Sequence, residues 1–170
     1  MRPLGTFLLG LVMALLLRST ALSGLAARGI VLDALAFTTV LWALRHGDTW
    51  GSTFGFAVGL LADIDAAHWL GRHALVLTLI GYAAGRLSGT RVRESARTQF
   101  VLIAMATLLH QLWISAFEIG GAVTGLPYLI GRTLIATLAT ASVGTLLLMG
   151  VRRLTGQPLF GNAFRTPSAD

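Results

Sequence analysis

The chain contains no cysteine and no lysine. The first absence excludes disulfides, thiol catalysis and a thiolate-held metal, and it says nothing about redox compartment. The second weighs against a phosphate loop, which needs a lysine after its glycines. "GTFLLG" and "GSTFG" accordingly read as glycines in helices. Charge of either sign is also scarce: 12% of 170 residues are charged, about half the share in soluble domains. With 55% hydrophobic residues and a mean hydropathy of +0.75, the chain lacks the polar groups to cover a water-facing surface. A bilayer supplies the apolar solvent that is missing.

The charge that is present is basic, with 13 arginines against 7 acids and a formal charge of +6. Nucleic acid would be one explanation. The arginines instead flank apolar runs, with no basic face between aromatics, so they read as anchors at a membrane interface. Catalysis finds no support either: there is no paired-carboxylate signature and no serine in a nucleophile elbow. The expectation is a non-enzyme without cofactor, metal or nucleic-acid partner.

One transmembrane domain is expected over residues 1–155, followed by a polar cytoplasmic tail, 156–170. Arg2, the run from Leu4 to Leu17 and "RSTALSG" have the outline of a signal peptide. Arg18 directly after the run, and no clean small-x-small site, favour a retained first helix.

A spanning helix needs roughly 20 mainly apolar residues. Six segments meet this: 4–22, 25–44, 50–67, 69–87, 98–118 and 128–150. The last two are uninterrupted, whereas charges divide the other four. An all-α bundle of six transmembrane helices follows, with 50–67 and 69–87 as a tight hairpin. If the N-terminus is cytoplasmic, nine arginines lie inside and four (Arg18, Arg28, Arg72, Arg132) outside. That asymmetry sets the orientation, places both termini in the cytoplasm, and makes "RLSGTRVRESAR" the main inner loop. Arg86, Arg91, Arg93 and Arg97 are its contact residues.

The same orientation gathers Arg18, Arg28, Asp33, Asp63, Asp65, His68, Arg72, His73, His110, Gln111, Glu118 and Arg132 in the outer half or its rim. An acid such as Asp33, about 7.5 Å inward of Arg28 on a helix, is costly unless paired or facing water or protein. The bundle is therefore expected to be dry toward the cytoplasm and polar within toward the outside.

"WGSTFGFAVGLLAD" sets Gly51, Gly55 and Gly59 four residues apart, with Asp63 next on the same stripe. Small residues at this spacing let membrane helices approach closely, either within the chain or against a partner helix. Asp63 then caps the turn, pairs with an arginine such as Arg132, or lines a cavity. "DIDAAHWLGRH" holds four metal-capable side chains, Asp63, Asp65, His68 and His73. Their spacing matches no metal signature, and interfacial solvation explains them. His110 reads as a hydrogen-bonded core histidine. Arg132, always charged, needs an acid or carbonyl partner, with Asp33, Asp63 and Glu118 as candidates. Asp33, His110, Glu118 and Arg132 are thus the expected buried polar network.

Residues 43–87 resemble MreD, the integral membrane rod-shape-determining family. Its G…GF..GLL.D segment stands here as Gly51, Gly55, Phe56, Gly59, Leu60, Leu61 and Asp63. The turn and following helix stand as Leu70, Gly71, Ala74, Leu75, Gly81, Tyr82 and Gly85. "LLLRSTAL" is similar to the end of the family's first helix, Asp33 matches its second-helix acid, and Arg132 matches the arginine opening the last helix. The resemblance runs to about residue 155.

It implies a bacterial inner-membrane, non-catalytic component of the cell-elongation machinery. The direct partner would be the bitopic scaffold MreC, its helix packing near the Gly51–Asp63 stripe with Phe56 and Gly71. MreB filaments, the elongation transpeptidase/glycosyltransferase pair and lipid are further partners, and a homodimer is possible. The family also looks like the substrate-binding subunits of energy-coupling-factor vitamin transporters, with six helices and an outward cavity. That sets the alternative, a vitamin-binding membrane subunit. Against it, the Ala-x-x-x-Trp coupling motif is missing.

Overall fold

The computed structural model describes residues 2–21, 32–66, 70–88, 95–118 and 126–155. These residues form six α-helices and no strands. They are α1 (Arg2–Leu16), α2 (Ala34–His46), α3 (Asp48–Ala66), α4 (Arg72–Arg86), α5 (Ala96–Glu118) and α6 (Leu126–Thr155). A π-helical turn, Leu17–Ala21, continues α1. The six expected segments overlap these helices in order. Residues 25–31 of the second span, and the tail 156–170, lie outside the described set.

Local chemistry sets several boundaries. Asp33 caps α2, its carboxylate accepting the Ala36 N–H at 3.0 Å, which satisfies one of the helix's orphan donors. Gly47, at φ 88°, ends α2 in the left-handed region, where a side chain is strained. Asp48 then opens α3 with a negative charge in its first turn, the favourable sign at a helix N-terminus. Proline at 127 sits one residue into α6, where its missing N–H would have had no partner anyway.

Helix α2 is central, touching α1, α3, α4, α5 and α6. The closest pair is the hairpin α3–α4, and α5 pairs with α6 on the other side. The core alternates small and large residues: Ala36, Ala43, Ala62 and Ala84 with Val40, Leu44, Phe54, Val58, Leu77 and Ile103. Phe7 of α1 meets Trp42 and Phe54 edge-on at 5.8 and 5.7 Å between centroids, and Trp42 stacks on Phe54 at 4.7 Å.

The outer faces are as apolar as the core. Val101, Met105, Leu109 and Leu112 run along α5, and Leu134, Ile135, Leu138, Leu146 and Leu147 along α6, all exposed. A continuous apolar exterior of this size marks a surface meant for a partner or a membrane. Among the described residues, two helices are long and apolar enough to cross a membrane: Ala96–Phe117, at mean hydropathy 1.8, and Pro127–Val151, at 2.0. The 13 residues of α2 reach about 20 Å, short of the roughly 30 Å hydrocarbon core.

Candidate functional site

The glycine stripe is filled from within the chain. A Cβ on Gly51 would stand 2.6 Å from the Gly81 carbonyl oxygen and 2.6 Å from the Ala43 Cβ. One on Gly55 would run into the Leu77 carbonyl, and one on Gly59 into the Ala74 backbone. Gly81 and Gly85 return the contact from α4, against Gly51 and Asp48. The three stripe positions therefore exist so that α3 and α4 can touch backbone to backbone. Of the two readings of the stripe, packing within the chain is the one seen: α4 occupies it. Phe56, which follows Gly55 on α3, is 52% exposed.

Asp63 ends the stripe as a cap for the helix packed there. It is fully buried. Its Oδ2 accepts the Gly71 and Ala74 N–H groups at 2.9 and 3.1 Å. Its Oδ1 accepts the His73 N–H at 3.1 Å and the His73 Nδ1–H at 2.8 Å. One carboxylate thus satisfies three backbone donors at the start of α4 and places a negative charge at its positive end. Gly71, at φ +100°, provides the left-handed turn that aims those donors back at α3.

Asp33 plays a second capping role and a longer-range one. Its N–H donates to Thr140 Oγ1 of α6 at 2.8 Å. Its Oδ2 accepts from His110 Nδ1 and, at 3.1 Å, from Gln111 Nε2, both on α5. One buried acid therefore ties the start of α2 to α5 and α6.

The two pairs meet. The His73 and His110 rings lie 5.4 Å apart between centroids, so Asp63, His73, His110 and Asp33 form a polar chain across α3, α4, α5 and α2. An ionised carboxylate only accepts, so each Nδ1 carries the proton. The Nε2 of His110 is buried without a partner.

Both histidines and Asp33 line a pocket of about 270 Å³ together with Arg18, Arg72, Gln111 and Arg132. Arg18 also reaches the Ala62 carbonyl at 3.4 Å and Asp65 at 3.8 Å. Trp113 Nε1–H donates to the Arg72 carbonyl at 3.0 Å, while the Arg72 Nε is buried with no partner.

Of the expected polar network, Asp33, His110 and Arg132 share this pocket. The ionic partners of Asp33 and Asp63 are histidines, and the remaining candidate for Arg132, Glu118, falls outside the described side chains. An imidazole on the neighbouring helix reaches each carboxylate first. Glu118 closes α5, and its side chain lies outside the described set, as do Arg91 and Arg93. Arg86 is exposed at the end of α4, 3.4 Å from the Tyr82 hydroxyl, and Arg97 is exposed in the first turn of α5. Among the described residues, no group of three or more His, Cys, Asp or Glu side chains is placed to hold a metal ion.

His73, Arg72, Gln111 and Thr140 are site residues that the sequence pattern did not single out as a network. The signal for His73 was faint: it follows Asp63 by ten residues across a glycine turn.

No curated protein and no solved structure matches the chain. The family model for the rod shape-determining protein MreD matches residues 1–160. With 160 of 170 residues covered, the chain belongs to the MreD family of rod-shape-determining membrane proteins.

Proposed function

We propose that this chain is a non-catalytic scaffold of the bacterial cell-elongation machinery. In this reading its six helices span the inner membrane with both termini in the cytoplasm. It binds MreC directly and connects MreB filaments to the transpeptidase/glycosyltransferase pair that builds peptidoglycan. The family match over residues 1–160 carries this reading.

The geometry supports it in two ways. The residues expected on the outer side, Arg18, Asp33, Arg72, His110 and Arg132, gather in one pocket, as a bundle polar at one end requires. Apolar side chains cover the outside of α5 and α6. Within the motif shared with the family, Phe56 is one of the large side chains turned outward, and we assign the MreC helix to this face of α3.

Co-purification of the tagged full-length chain with MreC tests the assignment. Phe56→Ala should lose MreC while the chain keeps its helical circular dichroism. Full recovery of MreC would remove the α3 face from consideration. Vitamin capture in this pocket is the weaker reading, because about 270 Å³ falls below the roughly 300–1,000 Å³ of usual small-molecule sites.

A further inference from the structure

We propose that the pocket between α2, α4, α5 and α6 binds a phosphate-type oxyanion, carried on an anionic lipid headgroup or free in solution. Charge is the first argument. Arg18, Arg72 and Arg132 line the pocket, and the Asp33 carboxylate beside them already holds His110 and Gln111. Arg18 shares its charge with the exposed Asp65 at 3.8 Å, a separation that leaves its guanidinium within reach of a second anion. Guanidinium groups lining a shared cavity favour an anion over a cation.

Unspent hydrogen-bonding capacity is the second argument. The Arg72 Nε and the His110 Nε2 are both buried without partners, and His110 is only 4% exposed. Buried polar atoms are nearly always satisfied, so two orphans on one pocket point to a missing ligand. Guanidinium N–H groups match the paired oxygens of a phosphate. The His110 Nδ1–H is committed to Asp33, so a neutral His110 offers its Nε2 lone pair. That atom accepts from a P–OH or from a hydroxyl of the attached alcohol.

The third argument is size. The cavity admits a phosphate with a few attached carbons, and its lining includes the apolar Leu32, Leu35 and Ile114, which suit the start of an acyl or alkyl chain. The inference goes beyond the scaffold reading, and its test does not involve MreC.

The full-length chain in mild detergent is mixed with equal amounts of phosphatidylglycerol and phosphatidylcholine and examined by native mass spectrometry. In a second arm, inorganic phosphate is titrated while tryptophan fluorescence is followed, since Trp113 is bonded to the Arg72 backbone. One retained phosphatidylglycerol that phosphate does not displace identifies a lipid headgroup. A saturable fluorescence change with phosphate alone identifies the free anion. Either result supports the site provided Arg72→Gln and Arg132→Gln each weaken binding about tenfold, the value of one charge-assisted hydrogen bond. Arg153→Gln, at the far end of α6, should leave it unchanged.

Arg72→Lys should keep part of the binding. Should Arg72→Gln fail to fold by circular dichroism, Arg132→Gln and His110→Gln decide. Binding of neither probe would overturn the proposal. So would equal retention by the pocket variants and the wild type, or an equal loss in Arg153→Gln.

Discussion

The carboxylate of Asp33 at the start of α2 holds the imidazole of His110 in α5, 77 residues further along the chain. Neither side chain is at home alone in an apolar bundle. Together, with Gln111 and the Ala36 N–H closing the remaining acceptor positions, they tie the start of α2 to α5. A like pair, Asp63 with His73, does the same for α3 and α4.

A double-mutant cycle measures the first pair. Asp33→Asn and His110→Gln should each lower the melting temperature in detergent, and the double variant should lose less than the sum. The expected coupling is about 1–3 kcal/mol. Strict additivity would mean that the two side chains are stabilised separately.

Asp63→Ala should be among the most destabilising single changes, at about 3–5 kcal/mol. It leaves the His73 imidazole and the first N–H groups of α4 without an acceptor. Asp63→Asn keeps the size but replaces an acceptor oxygen with a donor nitrogen facing N–H groups, so it should rescue little. Thermal unfolding followed by circular dichroism reads both, and a wild-type melt for Asp63→Asn would show that the charge at the helix start is dispensable.

Among the glycines, position decides. Gly55→Ala puts a methyl against the Leu77 carbonyl and should destabilise by about 1–3 kcal/mol through overpacking. Gly131→Ala on α6 meets nothing within 4 Å, and should be neutral or raise stability by up to about 1 kcal/mol through helix propensity. Equal melting temperatures for the two variants would contradict the close approach of α3 and α4.

Helix order, the α3–α4 hairpin and the polar end were legible in the sequence because they depend on composition and on four-residue spacing. The three glycines with Asp63 announced a close contact ending in an acid. They did not announce which helix fills it, since small-residue spacing is the same for an internal neighbour and for a partner. Arg132 drew attention as the guanidinium nearest to candidate acids. His73 and His110 took Asp63 and Asp33, because pairing across helices depends on rotation about each helix axis, which a linear sequence fixes only through the whole packing. Gly71 is the local case: its positive φ turns three N–H groups onto Asp63, and a glycine after "DIDAAHWL" signals a turn without giving its direction.

The orientation on which the scaffold reading depends is measured most directly by single-cysteine labelling, which is clean because the chain has no cysteine of its own. Asp65→Cys and Ser88→Cys are expressed in rod-shaped cells and treated with a membrane-impermeant maleimide before and after permeabilisation. Asp65→Cys should label in intact spheroplasts, and Ser88→Cys only once the membrane is opened. Labelling of Ser88→Cys from outside, with Asp65→Cys protected, would contradict the orientation and the partners assigned to each face.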